Sequence, residues 1–278
     1  MRNLFLVGAA AAAIALSATS ASAQDGSDEF SGFYVGGAVT YDFQGNDPGE
    51  RIAFDRNLDG TFGDQVSTDA GADAFSPGFC DGRAQSAIRD TGCENDRSRV
   101  SGAARVGFDV QRGNLVFGLV GEVGKANTVD FVSAFSTTPA SYTISTRMDW
   151  NASLRARAGY AANTTLFYVT GGGAYADLDS RFETSNTANS FTPTGGEDAW
   201  GYTAGGGLEQ KISKNISVGV EYLWTDLKMD DYTVRVGRGT ALATNPFVLA
   251  PNTTGTDLVR SGDRLRFHSA RAVVAFRF

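Results

Sequence analysis

The chain has 278 residues, with 24 Lys+Arg against 31 Asp+Glu, two Cys, one His and 42% hydrophobic residues. An acidic balance with no basic run excludes a nucleic-acid binder, because phosphate contacts need clustered Lys and Arg. With His268 as the sole histidine, zinc clusters and His-based nucleophilic triads lack their ligands and bases.

At the N-terminus, Arg2 supplies a positive charge, Leu4 to Leu16 form an apolar run of thirteen residues, and Ala21-Ser22-Ala23 gives a small-x-small cleavage pattern. This predicts a secretory signal peptide over residues 1–23, followed by a periplasmic tail over 24–32. The run falls short of the roughly 20 residues of a membrane-spanning helix. Losing Arg2 with the signal leaves 23 basic against 31 acidic residues, a net charge of 8 negative units.

From Phe33 the dominant signal is alternation of apolar with polar or small residues, the period of a strand with two unlike faces. Eight segments carry it: 33–41, 98–110, 115–125, 146–161, 165–184, 198–212, 216–236 and 263–278. Short turns at 111–114, 162–164 and 213–215 alternate with long polar connections at 42–97, 126–145, 185–197 and 237–262. A soluble sandwich has no reason to sort its connections by length. An outer-membrane barrel does, with short periplasmic turns and long extracellular loops. The expected fold is therefore all-β, an eight-stranded antiparallel up-and-down transmembrane β-barrel over residues 33–278.

The faces agree with that orientation. One side of the fourth segment reads Met148, Trp150, Ala152, Leu154, Ala156, Ala158 and Tyr160; the other reads Asp149, Asn151, Ser153, Arg155, Arg157 and Gly159. Likewise Ile216, Val218, Val220, Tyr222 and Trp224 stand opposite Ser217, Gly219, Glu221 and Leu223. The clean face is expected to meet lipid. Phe33, Tyr41, Trp150, Tyr160, Trp200, Tyr202, Trp224, Phe276 and Phe278 fall towards strand ends on that face, as interfacial aromatic girdles do.

The opposite face places Arg105, Glu122, Arg155, Arg157, Glu209, Glu221 and Arg271 in the lumen. Charges taken from water must be paired, which predicts a network of ion pairs. A catalytic use of Glu122, Glu209 and Glu221 needs an open cleft, whereas eight strands leave room only for the barrel's own side chains. The glycine runs at 171–173 and 205–207 precede no helix, so close strand packing explains them better than phosphate loops.

The 56-residue first loop, 42–97, holds twelve Asp/Glu and five Arg, a net charge of 7 negative units. Its Asp55, Asn57, Asp59 and Thr61 open like a calcium loop, with Gly60 at the sharp turn and Asp64 as a further ligand, although Val66 stands where the bidentate Glu belongs. The alternative is an acidic hairpin tip. Cys80 and Cys93, an even count in an exported chain, suggest one disulfide. Ile52, Phe54, Leu58, Phe62, Phe75, Phe79 and Ile88 offer the loop an apolar cluster of its own.

The sequence resembles the outer-membrane β-barrel family of small eight-stranded alphaproteobacterial surface proteins, relatives of the OmpA transmembrane domain. The resemblance rests on Phe33-Tyr34-Val35-Gly36-Gly37, on Ser153-Leu154-Arg155-Ala156-Arg157-Ala158-Gly159-Tyr160, and on the stretch from Leu166 to Tyr175. Gly205-Gly206-Gly207-Leu208-Glu209, Val220-Glu221-Tyr222 and Val274-Ala275-Phe276-Arg277-Phe278 add to it. It implies that Phe276 and Phe278 form the terminal signal read by the barrel assembly machinery.

The expected product is a non-enzymatic integral protein of a Gram-negative outer membrane with a structural and surface-interaction role; the alternative is a small porin-like pore for ions or small solutes. Expected partners are outer-membrane lipid, the assembly machinery during biogenesis and a ligand met through the loops. No cofactor is expected beyond a calcium ion in loop 42–97. A closed barrel has no free edge, so a monomer is expected.

Overall fold

The computed structural model describes residues 29–43, 49–95, 99–126 and 128–278. The expected signal peptide lies outside these residues. Eight long strands dominate: β1 (Gly32–Phe43), β2 (Arg99–Arg112), β3 (Leu115–Lys125), β4 (Ala140–Ala162), β5 (Thr165–Thr184), β6 (Asp198–Lys211), β7 (Ile216–Met229) and β8 (Arg264–Arg277). Each pairs antiparallel with its sequence neighbour across the sheet. β4 pairs with β5 and β8 pairs with β1, so every one of the eight has a hydrogen-bonded partner on both edges. This ring satisfies backbone groups that an open sheet would leave bare.

The outward face is apolar. Val39, Leu119, Leu154, Val169 and Val220 are exposed there, while their neighbours Thr40, Val120, Arg155, Thr170 and Glu221 are buried on the inward side. One expected facing is wrong. In the β4–β5 ladder Trp150 stands opposite Asp177 but Met148 stands opposite Leu178, so Asp149 is an extra residue on β4. This bulge reverses the alternation above it and turns Met148 inward, where it is 1% exposed.

The long connections depart further from the expectation of plain loops. β4 begins at Ala140, six residues before the expected 146, because residues 140–147 pair with an added strand, Val129–Ser136. That strand carries Gly78–Asp81 on its other edge. The expected strand over 216–236 is two. β7 stops at Met229, and Asp230 and Asp231 redirect the chain into Tyr232–Gly237, which joins a separate sheet in the order Ser190–Gly195, Tyr232–Gly237, Thr256–Arg260, Ile52–Asp55.

Three loops thus supply one sheet, and the fourth packs on it. Ile52, Phe54, Phe75, Val132, Ile144, Val234, Val236, Phe247 and Leu258 are among the buried residues of the shared core. Phe75 is its hub, with ring centroids 4.4 Å from Phe54, 5.3 Å from Tyr142 and 5.8 Å from Phe247. The cluster expected within the first loop alone is therefore distributed. Ile52, Phe54 and Phe75 enter the common core and Phe79 packs against it, but Phe62 and Ile88 are exposed and Leu58 is half-buried.

Candidate functional sites: a filled lumen and an outer β-unit

Inward positions of all eight strands meet in two ionic layers. In the upper layer Glu221 receives Arg105 at 3.0 Å, Arg155 at 3.2 Å and Arg271 at 3.0 Å. Glu122 receives Arg105 and Arg155, each at 3.2 Å, and also bonds Arg271. The Tyr168 hydroxyl donates to Glu221 at 2.9 Å, and Arg271 donates to the Thr40 hydroxyl at 3.1 Å.

The lower layer joins Arg157 to Glu209 at 3.0 Å and, through Nε, to Asp109 at 2.8 Å. Arg277 adds contacts to Asp109 at 2.9 Å and Glu209 at 3.3 Å, and Ser217 donates to Glu209 at 2.7 Å. Tyr34 lies between the guanidinium groups of Arg157 and Arg277, 4.9 and 4.7 Å from its ring centre. All seven charged residues assigned to the lumen by alternation are in these layers, and the sequence reading omitted Asp109 and Arg277. Both lay in reach of the same rule: Asp109 is in phase with Arg105, and Arg277 with Arg271.

Two glycines make room for this packing. A Cβ on Gly118 would overlap the Asp109 carboxylate, and one on Gly107 would overlap the Tyr34 ring. Gly118 sits between Asp109 and Arg157 in the register of β2, β3 and β4, so its missing side chain lets the pair meet across an intervening strand.

Side chains pack into both ends of the lumen. At the turn end Phe30 is fully buried against Val116, Ala161, Leu166 and Tyr168, and its carbonyl accepts from Arg277 at 2.6 Å. At the loop end Met148, Ala174, Leu178, Leu227, Met229, Leu265 and Phe267 form an apolar layer. Between that layer and the ions lies a cavity of about 50 Å³ lined by Thr40, Asp42, Ser101, Thr203, Ser269 and Arg271, among others.

The remaining candidates fall in the outer unit. Cys80 and Cys93 form a disulfide with a Cα separation of 6.5 Å. The five residues that open like a calcium loop form a tight acidic turn. Asp55 is buried and accepts from the backbone N–H groups of Leu58 at 2.7 Å and Gly60 at 2.8 Å. Asp64 accepts from the Arg56 N–H at 2.9 Å; Asn57 and Asp59 are hydrogen-bonded to each other, and Asp59 accepts from the Thr61 N–H at 2.8 Å.

A second acidic group was not foreseen. Glu50, Asp81 and Asp130 converge, and Arg260 reaches Glu50 and Asp130 at 2.6 and 2.8 Å. Burial raises the Glu50 carboxyl above its ordinary value, and Arg260 partly offsets this.

The sequence matches the family described as the outer membrane protein beta-barrel domain over residues 10–278. The chain belongs to this family. It is 29% identical over 148 residues to a 22 kDa outer membrane protein of Rhizobium leguminosarum, a match covering 53% of this chain and 62% of the relative. It is 34% identical over 108 residues to a 31 kDa outer-membrane immunogenic protein of Brucella melitensis, covering 33% and 45% of the two chains. Less than two thirds of either relative is therefore spanned. Among solved structures, OprG of Pseudomonas aeruginosa aligns over 89% of this chain and 96% of its own, with 13% identity and a TM-score of 0.49.

This member of the family is an outer-membrane β-barrel. Its apolar outward belt accordingly faces lipid, and the four long connections stand at one end of the barrel and the tight turns at the other. Of the aromatics expected at the belt's edges, Tyr41, Trp150, Trp200 and Tyr202 are exposed towards the loop end, and Tyr160, Phe276 and Phe278 towards the turn end. His268 stacks on Phe43 with ring centroids 5.4 Å apart at the loop-side edge.

Proposed function

We propose that the protein is an anchor that displays a recognition platform outside the cell. The observation that carries this reading is the shared core of the outer unit, to which all four long connections contribute. Loops serving only as connections have no need of a common sheet and a buried aromatic hub. A platform that must hold one shape for a partner does. The Brucella relative's description as immunogenic fits an outer unit of this kind, the part of the molecule an antibody would meet.

The lumen supports anchoring over transport. Arg155 is wholly buried, and an apolar layer and Phe30 pack into the two ends. No catalytic role is proposed, because Glu122, Glu209 and Glu221 are each held by arginines. Lipid around the belt, the assembly machinery at the C-terminal strand and an extracellular ligand on the outer unit are the partners proposed for a monomer.

Single-channel recording in planar bilayers tests the reading. Folded protein should give no stable openings, and steady unitary currents from the wild type would overturn it in favour of a pore.

A further inference from the structure

The lipid-facing surface is not uniform around the barrel. Along β8 the outward residues run Phe278, Phe276, Val274, Ala272 and Ala270, then His268, Arg266 and Arg264. Along β7 they run Ile216, Val218, Val220, Tyr222 and Trp224, then Asp226 and Lys228. Ten residue steps separate Phe278 from His268, about 33 Å of strand, or about 25 Å of height at the usual tilt of about 40°, which matches an outer-membrane apolar band. The cations therefore begin where the hydrocarbon ends.

The register brings them together. Lys228 stands opposite Arg264, and Asp226 opposite Arg266, while on the far side of β7 Trp200 faces Lys228 and Tyr202 faces Asp226. Arg264 and Arg266 both bond Asp226, at 2.8 and 3.2 Å, and cover it, leaving it 6% exposed while they remain 42% and 50% exposed. Each guanidinium thus gives one N–H to Asp226 and keeps others for a second acceptor. Lys228 has no ion-pair partner within 4.0 Å among the described residues. Asp226 is the one carboxylate in ion-pair contact with these three cations among the described residues, while Asp230 and Asp263 flank them in the chain, whose formal net charge is -7. Across the barrel, at the same edge, Arg147 and Arg181 are instead neutralised by Asp149 and Asp179 at 2.8 and 2.6 Å.

We propose that Lys228, Arg264 and Arg266, bordered by Trp200 and Tyr202, form a binding site for the phosphate group of an outer-leaflet lipid. Aromatic rings settle at the headgroup boundary and exposed guanidinium groups bind phosphate oxygens in pairs, so the patch offers an anionic lipid both its polar and its apolar contacts. Each cation near such a surface is worth roughly fivefold in affinity. The site depends on the membrane location and not on what the outer unit recognises.

The test is native mass spectrometry of protein taken from phosphatidylcholine nanodiscs containing a minor fraction of a diphosphorylated glycolipid or its dephosphorylated counterpart. The wild type should retain the phosphorylated lipid selectively. Lys228→Gln/Arg264→Gln/Arg266→Gln, checked for folding by heat-modified gel mobility, should lose at least about tenfold of that retention. Lys228→Glu alone breaks no ion pair and should lower retention without touching Asp226; Arg147→Gln/Arg181→Gln should leave it unchanged. Equal retention by the wild type and Lys228→Glu would overturn the site, as would indifference to the lipid's phosphates. Inorganic phosphate that displaces the lipid as readily as excess lipid does would also overturn it, by showing a free-anion site.

Discussion

Glu221 and Arg271 stand directly opposite each other on β7 and β8, and their side chains meet at 3.0 Å inside the barrel. The same carboxylate also serves Arg105 and Arg155, so its removal would leave three buried guanidinium groups sharing the single carboxylate of Glu122. Breaking a buried pair by removing one partner costs about 3–5 kcal/mol. Glu221→Ala should therefore lower the urea midpoint of the folded barrel strongly, whereas Lys214→Ala, exposed in a turn, should shift stability by no more than about 0.5 kcal/mol. Matching midpoints for the two variants would show that the ionic layer does not support the fold.

Gly118 offers a test that changes no charge. A methyl group there would displace the Asp109 carboxylate from Arg157. Gly118→Ala should destabilise the barrel to an extent comparable with Asp109→Ala, and the double variant should cost less than the sum of the two. Additive costs in that cycle would mean that Gly118 acts independently of the ion pair.

The outer unit should respond to reduction separately from the barrel. A bridge closing a loop of this length contributes roughly 3 kcal/mol by restricting the unfolded segment. After reduction, protease should cut within residues 80–93 on intact cells while heat-modified gel mobility stays unchanged. A cleavage pattern indifferent to reductant would remove the disulfide's structural role.

Glu50 gives the outer unit a pH dependence. Its carboxyl is raised in the folded state by burial, with Arg260, Asp130 and Asp81 facing it. A raised acid binds its proton more tightly when folded, so its contribution is complete below the ordinary carboxylate range and is lost as pH rises through the raised value. Hydrogen exchange of Ile52–Asp55 and Thr256–Arg260, corrected for the intrinsic rate, should reveal more frequent opening near neutrality than in mildly acidic buffer, and Glu50→Gln should flatten the trend. An unchanged slope in the variant would assign the dependence to other groups.

Deleting Phe278 should reduce assembly in cells while leaving folding into detergent largely intact. Phe278 is exposed, and its removal exposes no core, so the loss would be one of recognition. Normal outer-membrane levels of the truncated chain would refute an assembly role.

The barrel was legible because lipid and lumen impose opposite demands on neighbouring residues. Leu115–Lys125 and Thr165–Thr184 have the bounds their alternation suggests. The outer strands were not, since four-residue pieces such as Ile52–Asp55 are buried with no clean alternation and pair with segments some 200 residues away. Met148 escaped for a different reason: a single extra residue at Asp149 inverts a facing that composition alone cannot register. In the lumen, Asp109 and Arg277 were missed by stopping the rule short of the strand ends, where Phe30 completes the packing.

The β4–β5 hairpin carries on well past the girdle: from Trp150 to Ala140 is ten residue steps, about 33 Å of strand. At barrel tilt that is a mast about 25 Å tall, roughly the thickness of the lipid layer it rises from. A partner bound at the far end of this hairpin would therefore be held clear of the headgroups, at a distance set by the strands and not by the partner.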